Sequence, residues 1–236
     1  MQYSYAIIIP CYNEEENIEE CIHRIPDFGK PTQIIVVDDG SQDNTSYRVE
    51  KLKSHFPNLT LLRHTPNRGK SFAVQKGFDF ADAEVLIILD ADMAVMPEEI
   101  PKFIHALHSG EARVINGSRF LLPMEKGAMN FIRILGNKIF SLLFWLSTGV
   151  KVTDTLCGTK VIYKQDYQNM VWGICPWGDF DILFNAVRLN LGIKEVGIKY
   201  HRRIKGKSKM TIIKTGLKFL RTILIWHFIL FKEKIR

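Results

Sequence analysis

The 236-residue chain has four cysteines, Cys11, Cys21, Cys157 and Cys175, and none stands in a CxxC pair or at a His/Cys metal-ligand spacing. That excludes a zinc ribbon or a thioredoxin-type redox pair and leaves buried or free thiols suited to a reducing compartment. No GxGxxG follows the first strand-like run, so a dinucleotide redox cofactor is excluded. No complete GxxxxGK[ST] occurs either; "NRGKS" (67–71) is only the tail of a phosphate loop. No apolar run reaches the ~20 residues of a bilayer-crossing helix. "MQYSYAIIIP" has no basic region ahead of its apolar stretch and does not read as a signal peptide, so the chain is expected to work from the cytoplasm. Internal repeats and low-complexity segments are absent.

Acidic residues are scarce in the second half. Residues 126–236 hold 6 Asp/Glu against 20 Lys/Arg, a net of +14, whereas residues 1–125 hold 19 against 12, a net of −7. A basic half points to an anionic partner. The aromatic residues of that half, among them Phe131, Phe140, Phe144, Trp145, Phe219, Trp226, Phe228 and Phe231, sit inside aliphatic runs. A nucleic-acid stacking platform interleaves aromatics with charges, so the pattern favours a membrane surface and no nucleic acid.

What is present is an alternation. "YAIIIP" (5–10), "QIIVVDDG" (33–40), "LTLLRH" (59–64), "EVLIILDAD" (84–92) and "ARVINGSRF" (112–120) are short apolar runs with turn residues at or near their ends. Between them, 14–25, 41–56, 69–81 and 97–110 carry helical spacing, acids in first turns, Pro97 at a start and Gly110 at an end. Strand and helix alternating at this interval predict an α/β fold, with a mostly parallel, Rossmann-like central sheet flanked by helices. A ligand then belongs outside the carboxyl ends of the strands. Those ends carry Pro10-Cys11-Tyr12-Asn13-Glu14, Asp38-Asp39-Gly40-Ser41, Asp90-Ala91-Asp92 and Gly117-Ser118-Arg119. Asp90-x-Asp92 after "LIIL" suits a hard cation, Mg²⁺ or Mn²⁺, that keeps open positions for phosphate.

The ordered set "IIIPCYNEEENI", "IIVVDDGSQDNT", "LDADM", "NGSR", "DTLCGTKVIYK" and "RRIKGKSKM" resembles the inverting GT-A glycosyltransferases of the dolichol-phosphate mannose synthase type, over about residues 5–210. The resemblance implies a GT-A fold and transfer of a hexose from a nucleoside diphosphate sugar, GDP-mannose favoured and UDP-glucose next, to a polyprenyl or dolichyl phosphate. It implies that Pro10, Tyr12, Glu14, Val37 and Asp39 line the nucleoside pocket, and that Asp90 and Asp92 hold the metal that bridges the diphosphate. Arg119, Arg133, Asn137, Arg203, Ser208 and Lys209 would bind the acceptor phosphate, so Asp92, Arg119, Arg133 and Arg203 are the expected catalytic set. Two positions depart from the family pattern. Ala94 replaces a frequent Gln, so the metal shell must be completed differently, and Asn137 replaces a frequent Ser.

Two basic amphipathic segments complete the reading. In 127–149, Asn130, Arg133, Asn137 and Ser141 form one polar stripe of a helix. In 211–236, Lys214, Lys218 and Arg221 share a face ahead of ten uncharged residues. Both are expected to lie in a membrane interface, the first within a catalytic domain of residues 1–210, the second as an appended surface helix with Trp226, Phe228 and Phe231 inserted. The expected result is a peripheral enzyme on the cytoplasmic face of a membrane. Two alternatives stand at this point. A hydroxyl acceptor would require a general base, for which Asp179 and Asp181 are candidates, although both also suit the first turn of a helix. A non-catalytic nucleotide-sugar binder draws support from Ala94 alone.

Overall fold

The structure, a computed structural model, describes residues 3–125, 127–201 and 212–235. Its elements in order are β1 (Tyr3–Cys11), α1 (Ile18–His23), β2 (Thr32–Asp38), α2 (Thr45–Leu52), β3 (Leu59–Arg63), α3 (Lys70–Phe80), β4 (Ala83–Ile88), α4 (Ile100–His108), β5 (Val114–Ser118), α5 (Phe131–Thr148), β6 (Lys160–Tyr163), α6 (Lys164–Tyr167), α7 (Asp179–Arg188), β7 (Ile193–Gly197) and α8 (Ile212–Ile235). The seven strands form one sheet in the order β3-β2-β1-β4-β6-β5-β7. β6 runs antiparallel to β4 and β5, and every other pairing is parallel.

The central strands β1, β2 and β4 are covered on both faces, which is why they are apolar nearly throughout rather than alternating, whereas the edge strand β7 is half-buried and carries Lys194 and Glu195. Ile7, Ile9, Val36 and Ile87 pack with Ile18, Val49 and Phe103 of α1, α2 and α4. Ala6, Ile8, Val37 and Leu86 pack with Val74 and Phe78 of α3 and Ile182 of α7. A third cluster joins α5, α7 and α8 through Phe144, Phe180, Leu183, Phe184, Phe219, Ile223 and Trp226.

The five strands and four helices expected up to residue 120 are present; β1 is longer than the expected 5–10, and most other elements have shorter ends. The helix expected over 14–25 begins only at Ile18, because the preceding residues are held in a turn against the next loop. Glu14 N donates to Thr45 Oγ1 at 2.8 Å, and Asn13, at φ 51°, donates from its N to Ser41 Oγ at 2.9 Å. The C-terminal helix differs in kind from the appended helix expected. The inner face of α8, with Phe219, Ile223, Trp226 and Leu230, is buried against α5 and α7. Trp226 is therefore not a membrane anchor. Its ring stacks on Phe184 at 5.5 Å and its Nε1 donates to Asp181 Oδ1 at 2.9 Å.

Candidate active site

The strand order turns back between β1 and β4, since β2 and β3 extend to one side and β6, β5 and β7 to the other. In open α/β sheets a ligand crevice forms at the carboxyl ends of such a pair. The loop after β1 (Tyr12–Glu14) and the Asp90-x-Asp92 segment after β4 lie there.

Asp92 is nearly buried, and its Oδ1 accepts from Ala94 N at 3.1 Å. The Ala94 backbone thus orients the carboxylate although its side chain offers no ligand. Asp90 is partly exposed and pairs with Lys70, Nζ to Oδ1 2.5 Å. Burial pushes the Lys70 ammonium pKa down, but the carboxylates of Asp90, Asp179 and Asp92 outweigh it, and the net shift is upward. Lys70 is thus a fixed cation. It belongs to "NRGKS", whose incompleteness as a phosphate loop hid its role; the nearer signal was a lysine at the first position of a helix opposite an Asp-x-Asp strand end.

Behind this pair, Lys160 is wholly buried and donates to Asp179 Oδ1 at 3.1 Å and to the Cys157 carbonyl. Gly158 lies against the pair itself. A Cβ there would stand 2.2 Å from Asp90 Oδ2 and 2.6 Å from Lys70 Nζ. Gly158→Ala is therefore expected to push the two apart and lower transfer by about 100-fold, the cost of a displacement of ~1 Å at reacting groups. Turnover at saturating divalent cation, measured beside an unchanged melting curve, checks it.

The nucleoside-pocket candidates divide. Tyr12 and Glu14 sit on the rim, with Glu14 Oε2 accepting from Asn17 Nδ2 at 2.8 Å. Pro10 and Val37 are register partners in adjacent strands and both are buried. Val37 belongs to the core under α3, so its side chain is floor rather than contact surface. Asp39 is a loop clasp. Its Oδ1 accepts from Arg68 N and meets His64 Nε2, both at 2.7 Å, while Oδ2 accepts from Gly69 N at 2.8 Å. These bonds tie the segment leading into α3, and hence Lys70, to the end of β2, so much of the Asp39 carboxylate is engaged within the protein.

The acceptor candidates also separate. Arg119 pairs with Asp154, a residue absent from the sequence-derived set, through Nε–Oδ2 at 2.6 Å and Nη2–Oδ1 at 2.7 Å. Asn137 is buried and donates from Nδ2 to Asp154 Oδ1 at 2.6 Å, while its Oδ1 accepts from Ser141 Oγ at 3.3 Å. One of its two amide N–H donors is thus spent on Asp154, so Asn137 braces that carboxylate from α5. Burial raises the Asp154 carboxyl, yet the Arg119 guanidinium and the hydrogen bonds hold it below the usual range. Arg133, half-buried one turn before Asn137, has no ion pair among the described residues. Asn130 is exposed and caps the helix, accepting from Arg133 N at 3.0 Å, and of the expected polar stripe Asn137 and Ser141 face the domain, bonded to Asp154 and Thr153. Arg203, Ser208 and Lys209 lie outside the described residues.

Neither candidate base is placed for that work. Asp181 accepts from the N–H groups of Gly173, Ile174 and Cys175 and from the Trp226 indole. Burial outweighs these donors and lifts its carboxyl to about 6. Asp179 is salt-bridged to Lys160. Neither caps α7, whose N-cap is Gly178.

A Rossmann-like sheet with an Asp-x-Asp pair at its switch point and a carboxylate-held arginine at the end of β5 is an arrangement suited to phosphate-bearing substrates. Residues 6–170 match the model of glycosyl transferase family 2, and the chain belongs to this glycosyltransferase family. It is 42% identical over 224 residues to a dolichol-phosphate mannosyltransferase of Pyrococcus furiosus, an alignment covering 92% of this chain and 62% of that protein. It is 27% identical to a dolichyl-phosphate beta-glucosyltransferase of Trichomonas vaginalis, over 96% of this chain and 75% of that one. Among solved structures, the Mycobacterium tuberculosis glucosyl-3-phosphoglycerate synthase bound to Mn²⁺, UDP-glucose and phosphoglyceric acid superposes with TM-score 0.73. That match covers 95% of this chain and 80% of that chain, and at 18% identity it shows a shared fold. The chain thus spans less than two thirds of the Pyrococcus protein.

Proposed function

We propose that the chain transfers one hexose, mannose before glucose, from a nucleoside diphosphate sugar to a polyprenyl phosphate held at a membrane surface, with inversion at the anomeric carbon. The observation that carries this reading is the loop 154–159. Its Asp154 grips Arg119, and its Gly158 abuts Asp90 and Lys70. Four residues reach at most about 14 Å, so the residues proposed for the diphosphate and those proposed for the acceptor phosphate belong to one rim, linked by a single short loop. The 42% identity with a mannosyltransferase supports GDP-mannose, and the glucosyltransferase relative supports UDP-glucose as the next donor to test.

The site suits a hard cation. Among the described residues no third His, Cys, Asp or Glu joins the pair, but Mg²⁺ and Mn²⁺ are held at phosphate sites by one or two carboxylates plus the substrate's own oxygens. Asp90 and Asp92 would hold the ion, which when bound neutralises the leaving diphosphate. Lys70 adds a second positive charge beside Asp90. The acceptor phosphate is ionised at neutral pH and needs orientation rather than deprotonation, in keeping with the engaged states of Asp179 and Asp181.

The lipid side rests on α5 and α8. Phe131, Ile132, Leu135, Ile139, Leu142 and Leu146 of α5 are exposed, as are Leu217, Leu220, Leu224, Phe228 and Phe231 of α8. Lys138, Lys214, Lys218 and Arg221 are exposed on the same two helices. By length and composition alone α5, with mean hydropathy 1.2, is long and apolar enough to cross a membrane. Its polar stripe, tied to Asp154 and Thr153, favours lying in the interface. Exposed apolar surface of this extent beside basic residues suits an anionic leaflet, in keeping with a peripheral place on a cytoplasmic face.

The unaltered protein is expected to sediment with anionic vesicles at low salt and less so at high salt. Each buried Leu or Phe contributes about 1.5–3 kcal/mol, so combining Leu142→Ser, Leu146→Ser and Phe228→Ser is expected to lower the partition coefficient at least ~10-fold with little change in Tm. Vesicle binding indifferent to these changes would count against the membrane face. Transfer itself is tested by incubating labelled GDP-mannose or UDP-glucose with Mn²⁺ and polyprenyl phosphate and following label into the organic phase. Release of nucleoside diphosphate without labelled lipid product would contradict the acceptor assignment.

A further inference from the structure

We propose that Asp154 is the positioning residue of the acceptor-phosphate site, acting through Arg119. The inference rests on the polyprenyl phosphate reading above. Asp154 is 0% exposed and accepts five hydrogen bonds: from Arg119 N (3.0 Å), Nε (2.6 Å) and Nη2 (2.7 Å), from Asn137 Nδ2 (2.6 Å), and from Leu156 N (3.2 Å).

A guanidinium has five N–H donors in a rigid plane and can grip an oxyanion along its Nε/Nη2 edge or along its Nη1/Nη2 end. Asp154 occupies the first edge completely. The end edge points away from it and carries two N–H donors, one on Nη1 and one on Nη2. The Tyr200 ring lies 5.2 Å from the guanidinium carbon, and little of the Arg119 side chain is exposed, so the plane has few other orientations. Arg119 is thus preset to meet a phosphate end-on, with no side-chain ordering left to do when the lipid arrives.

The loop that carries Asp154 is itself held. Glu195 of β7 accepts from Thr153 N at 2.8 Å, from Asp154 N at 3.2 Å and from Asn116 Nδ2 at 3.2 Å. Asn137 adds the link to α5, whose opposite side presents the exposed apolar residues. One buried carboxylate therefore joins the strand end bearing Arg119 to the helix that faces lipid. Asn137 works as a strut of Asp154.

The test compares the unaltered protein with Asp154→Asn and Asn137→Ala. Initial rates are measured against polyprenyl phosphate at saturating donor, and nucleoside diphosphate affinity is measured separately by calorimetry with Mn²⁺. Asp154→Asn removes the charge that holds the guanidinium and sets an amide N–H₂ against its donors. It is expected to lower kcat/KM for the lipid by about 10- to 100-fold, mainly through KM, with nucleoside diphosphate affinity within about twofold of the unaltered protein. Asn137→Ala leaves the charge in place and should shift the same parameter, in the same direction, by a smaller factor. It serves as the deciding variant if Asp154→Asn fails to fold. An unchanged lipid KM in the folded variants would overturn the proposal, as would lipid and nucleotide binding falling in parallel with Tm. Inactivity of the unaltered protein on polyprenyl phosphate, with activity on a hydroxyl acceptor, would remove the functional reading and this inference with it.

Discussion

Asp92→Ala is expected to reduce transfer by about 1,000-fold in kcat, the order of loss seen when a preorganised charge-stabilising group is removed from a reacting centre. The two acidic residues are not equivalent. Asp90 already shares its Oδ1 with Lys70 at 2.5 Å, so part of its charge is spent within the protein. Asp92 is buried, and its Oδ1 accepts from the Ala94 backbone N–H at 3.1 Å, so its carboxylate is held in one orientation. Replacing Asp92 therefore removes a preset carboxylate, whereas replacing Asp90 removes one already paired closely with Lys70. A Mn²⁺ titration of activity is expected to show a higher half-saturating concentration for Asp90→Asn with much of kcat kept, and loss of kcat itself for Asp92→Ala. Near-unaltered turnover by Asp92→Ala with metal present would refute the assignment.

The second large effect is on stability. Trp226→Ala is expected to cost about 3–5 kcal/mol, the usual range for deleting a buried aromatic side chain. For a chain of this size that lowers Tm by roughly 10 °C. The loss has two parts. The indole ring stacks on Phe184 in the α5–α7–α8 cluster, and its Nε1 is one of the donors that satisfy the buried Asp181 carboxylate. Removing it opens a cavity and withdraws a hydrogen bond from a buried charge. Phe228, two residues on, is exposed, so Phe228→Ser is expected to leave Tm nearly unchanged. Calorimetric scans of the two variants check the pair of outcomes. Equal melting temperatures would mean that the inner face of α8 is not part of the folded core.

That contrast shows where sequence reasoning worked and where it stopped. The parallel strands up to residue 120 were legible because strands covered on both faces must be apolar throughout, and their ends must be turn residues. The four polar strand ends followed directly, and with them Asp90, Asp92, Tyr12 and Glu14. Pairing was not legible. β6 is the four-residue "KVIY", inserted between β4 and β5 in the opposite direction, and no periodicity over four residues announces a partner more than 40 positions away. For the same reason Asp154 was passed over. "DTLCGTK" carries one acid among small residues, and only the fold brings it to Arg119 and Asn137.

The groups whose partners were not legible share a physical cause. Asp39 and Asn137 have the right chemistry for a ligand, and each also spends polar atoms within the fold, Asp39 on the loop at 64–69 and Asn137 on Asp154. A sequence reports which groups a position offers; it does not report which of them the folded chain spends on itself. Trp226 is the apolar counterpart. Helical periodicity showed that α8 has an apolar side and a basic one, yet α8 is apolar on two sides. The side that meets Phe184 could be told from the side that bears Phe228 only once α7 was in place. Lys70 was hidden differently, inside a motif whose familiar form binds phosphate in another architecture.

The central claim is that the Asp90/Asp92 site and the Arg119 site act on one sugar and a lipid phosphate. The most direct measurement is the fate of labelled sugar when the protein is given labelled GDP-mannose, Mn²⁺ and polyprenyl phosphate in anionic vesicles, followed by solvent partition. The account predicts that label moves into the organic phase in amounts that track lipid phosphate and that nucleoside diphosphate is released in equal amount. Label that stays in the aqueous phase with either donor, while nucleoside diphosphate is still released or a hydroxyl acceptor is glycosylated, would contradict it.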